Sequence, residues 1–168
     1  LVHGRKITAK YTLTPGERYY INKVTYRVDD DTIARLLRLD SSESPFRIAH
    51  GSPFSVDLLD NTRKRITDYL MNNGYYRFNK DFIQFNVDSA ATSQLVNVRL
   101  HLLGYRTNND AQPTAHPRYR IGRVKYDIDN TQGHLRPKIV MNNTAIEEGK
   151  YFDESALQRT YNKFAKLG

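Results

Sequence analysis

YYINKVTYRVDD (residues 19–30) returns later in the chain as YRIGRVKYDIDN (residues 119–130). Tyr19, Ile21, Val24, Tyr26, Val28 and Asp29 meet Tyr119, Ile121, Val124, Tyr126, Ile128 and Asp129, with an offset of 100 throughout (119 − 19). A second pair of blocks follows in the same order. GSPFSVDLLDNTRKRI (residues 51–66) matches GKYFDESALQRTYNKF (residues 149–164) at Gly51 and Gly149, Phe54 and Phe152, Leu59 and Leu157, Thr62 and Thr160, and Ile66 and Phe164, with an offset of 98 (149 − 51). Two blocks in one order with nearly one offset mark a duplicated supersecondary unit.

The first copy reads as an alternation of strands and helices. Ile21, Val24, Tyr26 and Val28 are the apolar members of a strand over Tyr19–Val28, half-buried by its alternation. Asp29, Asp30 and Asp31 end it and offer a cap to a short helix, Thr32–Leu39, with Ile33, Leu36 and Leu37 inward. A loop rich in Ser, Pro and Gly leads to Ser55, an N-cap for a long helix Val56–Asn73. Leu59, Thr62, Ile66, Tyr69 and Leu70 form its buried stripe, and Asn73-Gly74 its stop. Strands Asp81–Val87 and Gln94–Leu103 follow, joined by a link of hairpin length. The order is β-α-α-β-β. The last two strands form an antiparallel hairpin, and the helical crossover brings the first strand in parallel. The fold class is therefore α+β: tandem units, each with two helices on one face of a three-stranded mixed sheet. Strand Gln94–Leu103 is central, and strand Asp81–Val87 is an exposed edge.

On either side the repeat is incomplete. Lys6–Leu13 alternates and reads as the last strand of a preceding unit, seeking exposed sheet in its own chain or a neighbour. Gly104–Pro117 is polar, with two prolines, and reads as a linker or long excursion. The second copy has a first strand and a long helix but no hairpin. Its short helix is not evident, because His134–Met141 contains Pro137 and reads as extended. The expected divisions are 1–16, the end of a preceding unit; 17–104, a complete unit; 105–117, a linker; and 118–168, a partial second unit.

Composition narrows the function classes. The 168 residues carry 26 basic and 18 acidic side chains, net +8. The charge is scattered; its densest cluster, Arg63-Lys64-Arg65, falls on a helix and reads as a solvated face. The absence of cysteine removes disulfides, thiolate catalysis and Cys-based metal sites. No apolar run is long enough to span a membrane and no leader peptide is visible, so the chain reads as an excised piece. His3, His50, His101, His116 and His134 lack metal-ligand spacing. Asp29, Asp30 and Asp31 read as strand-end and capping residues. Tyr75-Tyr76-Arg77-Phe78 reads as core packing in preference to a base-stacking platform. No nucleotide-binding or nucleophile motif is present. An enzyme is not expected, nor a cofactor or metal.

The stretch GSPFSVDLLDNTRKRITDYLMNNGYYRFNKDFIQF (residues 51–85) resembles POTRA domains of the BamA/TamA outer-membrane protein assembly family, with a Bacteroidetes-like cast. The resemblance lies in Gly-x-x-Phe before the helix, Leu59, Arg65-Ile66, Leu70, Gly74-Tyr75-Tyr76, and the Tyr-x-Ile-x-x-Val-x-Tyr opening of each copy. It implies a periplasmic scaffold attached to a C-terminal membrane barrel. Its partners would be unfolded outer-membrane proteins or accessory periplasmic proteins, with no nucleic acid. It also implies capture of extended segments by strand addition at a sheet edge. Here that edge is Phe82, Ile83, Gln84, Phe85, Asn86 and Val87. Other readings are a secretion-partner transporter, a cell-division scaffold of the same fold, or a small basic nucleic-acid-binding module.

Overall fold

The computed structural model describes residues 10–14, 16–89, 93–108, 110–128 and 136–166. Strand β1 runs Tyr20–Val28. Asp30 then caps helix α1 (Asp31–Leu37), accepting hydrogen bonds from the Thr32 and Ile33 N–H groups. Those donors have no partner inside the helix. Helix α2 (Val56–Met71) starts on Ser55, whose hydroxyl accepts from the Leu58 N–H, and buries Leu59, Thr62, Ile66 and Leu70. After the helix, Gly74 takes φ +98°, a conformation open mainly to glycine.

Strands β2 (Ile83–Ser89) and β3 (Leu95–Leu102) complete the sheet. The order is β1-β3-β2, with β3 parallel to β1 and antiparallel to β2. β3 is therefore central, as the crossover argument requires. One irregularity explains a break in the pattern of β1, where Ile21 and Val24 are three apart. Asn22 is a bulge between the paired residues Ile21 and Lys23, and the extra residue restores the inward phase for Val24, Tyr26 and Val28. The Asn22 side-chain amide donates to Asn97 Oδ1 at 3.0 Å.

The helices cover one face. Ile33, Leu37, Ile66, Leu70, Leu100 and Leu102 form one core; Ile21, Leu59, Val96 and Val98 form a second toward the other end. The opposite face, with Thr25, Arg27, Asn86, Asn97 and Arg99, is exposed.

The duplication is repeated in the hydrogen bonds. The Phe54 N–H donates to the Tyr19 carbonyl, and the Phe152 N–H to that of Tyr119. Ile21 N–H to Ser52 recurs as Ile121 to Lys150, and Gly51 N–H to Ile21 as Gly149 to Ile121. Gly51 and Gly149 share nearly one backbone angle, φ +75° and +78°. Helix α4 (Glu154–Phe164) is capped by Asp153 as α2 is by Ser55. Thr62 and Thr160 each donate to the carbonyl four residues back.

Several expectations need correction. Pro137 does not make its segment extended: it opens helix α3 (Pro137–Asn143), because proline suits a first-turn position whose N–H would be unpaired anyway. His134 lies outside the described residues. Tyr119–Ile128 is not a strand; only Arg120 forms a bridge, to Tyr151. Among the described residues it has no counterpart of β3 to pair with, and a lone strand gains nothing from an extended backbone. The same lack exposes the helix above it: Leu157 is 40% exposed where Leu59 is 7%. β2 begins at Ile83, since Lys80–Phe82 is a 3-10 turn capped by Asn79. At the N-terminus, Lys10–Thr14 are exposed and in no strand; Lys6–Ala9 lie outside the described residues.

Candidate functional site

The β2 edge is built by register. The Leu103 N–H donates to the Phe82 carbonyl at 2.8 Å, which makes residues 82 and 103 a hydrogen-bonded pair of the antiparallel ladder. Pairing with β3 continues through Gln84↔His101 and Asn86↔Arg99. Alternate residues of such a strand bond inward, so Ile83, Phe85, Val87 and Ser89 point their N–H and C=O groups away from the sheet. The six residues expected to form the edge thus divide. Phe82 belongs to the 3-10 turn. Gln84 and Asn86 spend their backbone on β3. Ile83, Phe85 and Val87 face outward.

Two outward groups are taken, both at Ile83, whose N–H donates to the Lys80 carbonyl. Arg63 reaches from α2, and its Nε donates to the Ile83 carbonyl at 3.0 Å. Its guanidinium lies 5.1 Å from the Phe85 ring centre and is steadied by Asp60. Arg65 donates to the Pro45 carbonyl and sits over Phe46. The Arg63-Lys64-Arg65 run is therefore not simply a solvated face: two of its members hold loop and edge backbone. Among the described residues, the outward groups of Phe85 and Val87 have no such partner. The start of the other sheet edge, β1, is overlain by the loop at residues 51–54, which bonds Tyr19 and Ile21.

A second constructed place is the joint between the units, formed on the turn after α2. Tyr75 and Phe78 are buried, as core packing requires, but Tyr76 is 55% exposed. Its ring meets Phe152 edge-on at 5.0 Å and Tyr119 at 5.9 Å. Asn72, Asn73 and Gly74 each accept a hydrogen bond from the second unit. Ser155 N–H reaches Asn72 Oδ1 at 2.9 Å, Arg118 Nε the Asn73 carbonyl at 2.8 Å, and Tyr119 N–H the Gly74 carbonyl at 2.8 Å. The end of α2 leaves carbonyls unpaired and carries partial negative charge; the start of α4 leaves N–H groups unpaired. The Asn72 side chain meets one N–H at the start of α4, and the Arg118 guanidinium lies at the negative end of α2. Arg118 also stacks on Tyr151 at 3.7 Å, and Arg120 on the same ring at 3.8 Å.

The segment between the units is an excursion closed on itself, with Tyr105 and Thr114 exchanging backbone bonds. It ends at His116, which is buried against Phe78 and Phe82. The His116 N–H donates to Asp30 Oδ2 at 2.7 Å, so one buried carboxylate caps α1 and ties down the linker. Burial holds the His116 imidazole below its ordinary 6.5, against the opposing pull of the Leu103 carbonyl and Asp30. On the open face, His101 Nε2 lies 2.9 Å from both Asp29 oxygens. Burial would raise the Asp29 pKa, but the hydrogen bond and charge of His101, with help from Arg27, bring it below the usual 3.8.

Sequence reasoning missed the joint. A usable signal was one residue beyond the repeat as aligned: Arg18 precedes Tyr19 as Arg118 precedes Tyr119. Among the described residues, no group of three or more His, Asp or Glu side chains is placed to hold a metal. No described helix is long and apolar enough to cross a membrane.

Comparison with known proteins agrees with this architecture. The family profile "POTRA: Surface antigen variable number repeat" matches residues 19–103. No curated protein matches. Among solved structures, the chain is similar to Haemophilus influenzae BamA POTRA3-5, with TM-score 0.55, 10% identity, and coverage of 89% of this chain and 51% of that one. It is also similar to BamA from Haemophilus ducreyi lacking POTRA domains 1–3, with TM-score 0.63, 14% identity, and coverage of 89% and 24%. The chain thus spans about half of the first and a quarter of the second. At these identities the likeness is one of fold.

Proposed function

The chain belongs to the POTRA family, and from that premise we propose that it is a periplasmic scaffold segment of an outer-membrane β-barrel assembly or translocation protein. In this reading it receives extended segments of client or accessory proteins at the β2 edge. It performs no catalysis and uses no cofactor, and a membrane barrel follows in the same polypeptide. The observation that carries the proposal is the register of β2. It leaves Phe85 and the exposed Val87 with outward backbone donors and acceptors. Such groups accept any extended chain with little demand on its sequence. Clients that are themselves future strands need a contact of that tolerance. The fold likeness to BamA POTRA regions supports the setting.

The test follows from the register. Proline at Gln84 would break the ladder to β3. Proline at Val87 removes an outward N–H only, which edge strands tolerate. Photo-crosslinking of an extended outer-membrane-protein peptide to the β2 edge should fall several-fold in Val87→Pro while the melting temperature holds. Undiminished crosslinking by a folded Val87→Pro protein overturns the proposal.

A further inference from the structure

The joint that seats the second unit on the first has a twin at the other end of the first unit that no described residue fills. The second unit brings three donors to the turn after α2: Arg118 Nε, the Tyr119 N–H and the Ser155 N–H. The repeat carries them back to Arg18 and Tyr19, at offset 100, and to Asp57, at offset 98. The shared hydrogen bonds of Tyr19 with Phe54 and of Tyr119 with Phe152 place the two sets on the same local framework. Among the described residues, none of the three counterpart donors has a hydrogen-bond partner. The aromatic parts of the twin are likewise open. Tyr19 is 41% exposed and Phe54 only half-buried, whereas Phe152 is buried under Tyr76.

We propose that Arg18, Tyr19, Phe54 and the first turn of α2 form a docking face for the long-helix end of another POTRA unit, placed before this one in the same polypeptide. The occupant is defined by what the occupied twin accepts. It is a helix C-terminus followed by a turn that offers three oxygen acceptors and one aromatic ring, as Asn72, Asn73, Gly74 and Tyr76 do. Arg18 supplies the cation that such a helix end favours, Tyr19 a backbone donor, and Phe54 the ring under the incoming aromatic. Successive units would then stack with one repeated geometry.

The inference rests on family membership and on the joint, not on strand addition at β2. Its test leaves that edge untouched, so the two ideas fail separately. In the natural full-length polypeptide, a photo-reactive phenylalanine analogue replaces Tyr19, and in a parallel sample Tyr119. Crosslinked peptides are mapped by mass spectrometry. The Tyr119 probe should link to residues 72–76, and the Tyr19 probe to a helix-end turn upstream of Leu1 in the same polypeptide. Arg18→Glu should lower the yield at Tyr19 several-fold and leave that at Tyr119 unchanged. Linkage of the Tyr19 probe to another protein or to a second copy would overturn the proposal. So would no linkage there while Tyr119 links, or failure of Tyr119 to reach residues 72–76.

Discussion

Replacing Gly74 with alanine strikes the joint directly, and its effect divides into two parts. The first is local strain: φ is +98°, and a side chain in such a region costs about 1–3 kcal/mol. The second belongs to the joint. A Cβ at Gly74 would lie 3.1 Å from Tyr151 Cδ1 and 3.3 Å from Tyr151 Cβ and Arg118 Nε, so the second unit must give way. What holds it there is three hydrogen bonds, net about 0.5–1.5 kcal/mol each. Arg118 also lies over the Tyr75 ring across the joint, 5.6 Å from its centre, which adds about 0.5–1 kcal/mol. The joint is therefore worth a few kcal/mol, and a loss of ~1.4 kcal/mol is a tenfold change. Native-state amide exchange at Tyr119 and Ser155 should quicken by about that factor or more. Gly51→Ala is the control: its φ is +75° but nothing lies within 4 Å of the added carbon. It should lower overall stability and spare those two amides. The reasoning is refuted if Gly74→Ala quickens them no more than Gly51→Ala does.

Other perturbations address the linker, the edge and the acid response. Asp30→Ala should cost about 2–4 kcal/mol in chemical denaturation, because it removes a helix cap worth ~1 kcal/mol and strands a buried N–H at ~1–3 kcal/mol; Asp30→Asn, which keeps one oxygen, should cost less. His116 is held below its ordinary 6.5, so the unfolded chain takes up its proton first. Stability is whole above that value and declines as pH falls beneath it, and His116→Gln should flatten the melting temperature between about pH 7 and 5. Asp29, with its pKa lowered from 3.8, contributes stability above that value that is lost as pH falls through the folded pKa; Asp29→Asn should make the acid limb of the melting profile shallower. Arg63→Ala should free the Ile83 carbonyl and increase peptide crosslinking at β2, while costing about 1 kcal/mol of stability through the lost stacking on Phe85.

The parts legible in the sequence were those where one periodicity governs one face. α2, from its Ser55 cap along its buried stripe, and the alternation of β3 through Val96, Val98, Leu100 and Leu102 are of this kind. Even the parallel pairing of β1 followed from the length of the crossover. What escaped depends on partners that no local pattern announces. Pro137 is a helix opener or a breaker according to where the helix starts. Tyr126 and Ile128 alternate as a strand does, yet among the described residues no β3 counterpart is present to make them one. Arg63 looks like surface charge until the Ile83 carbonyl is seen within its reach. Tyr75, Tyr76 and Phe78 differ by burial alone: Tyr75 and Phe78 face their own core, and Tyr76 faces the neighbouring unit.

Arg63 has a consequence for time as well as place. By occupying the Ile83 carbonyl it leaves a short run of outward groups, at Phe85, Val87 and Ser89. A guest strand pairing there makes at most a handful of hydrogen bonds, each net about 0.5–1.5 kcal/mol. Against them stand about 4–15 kcal/mol of lost freedom on association. Weak affinity at an ordinary association rate means a brief stay, since differences in affinity appear mostly in the rate of leaving. Under the proposed function, a guest strand would pause at such an edge and go, with no energy source needed to release it. Extending the free run by even one more pair of groups would lengthen every visit.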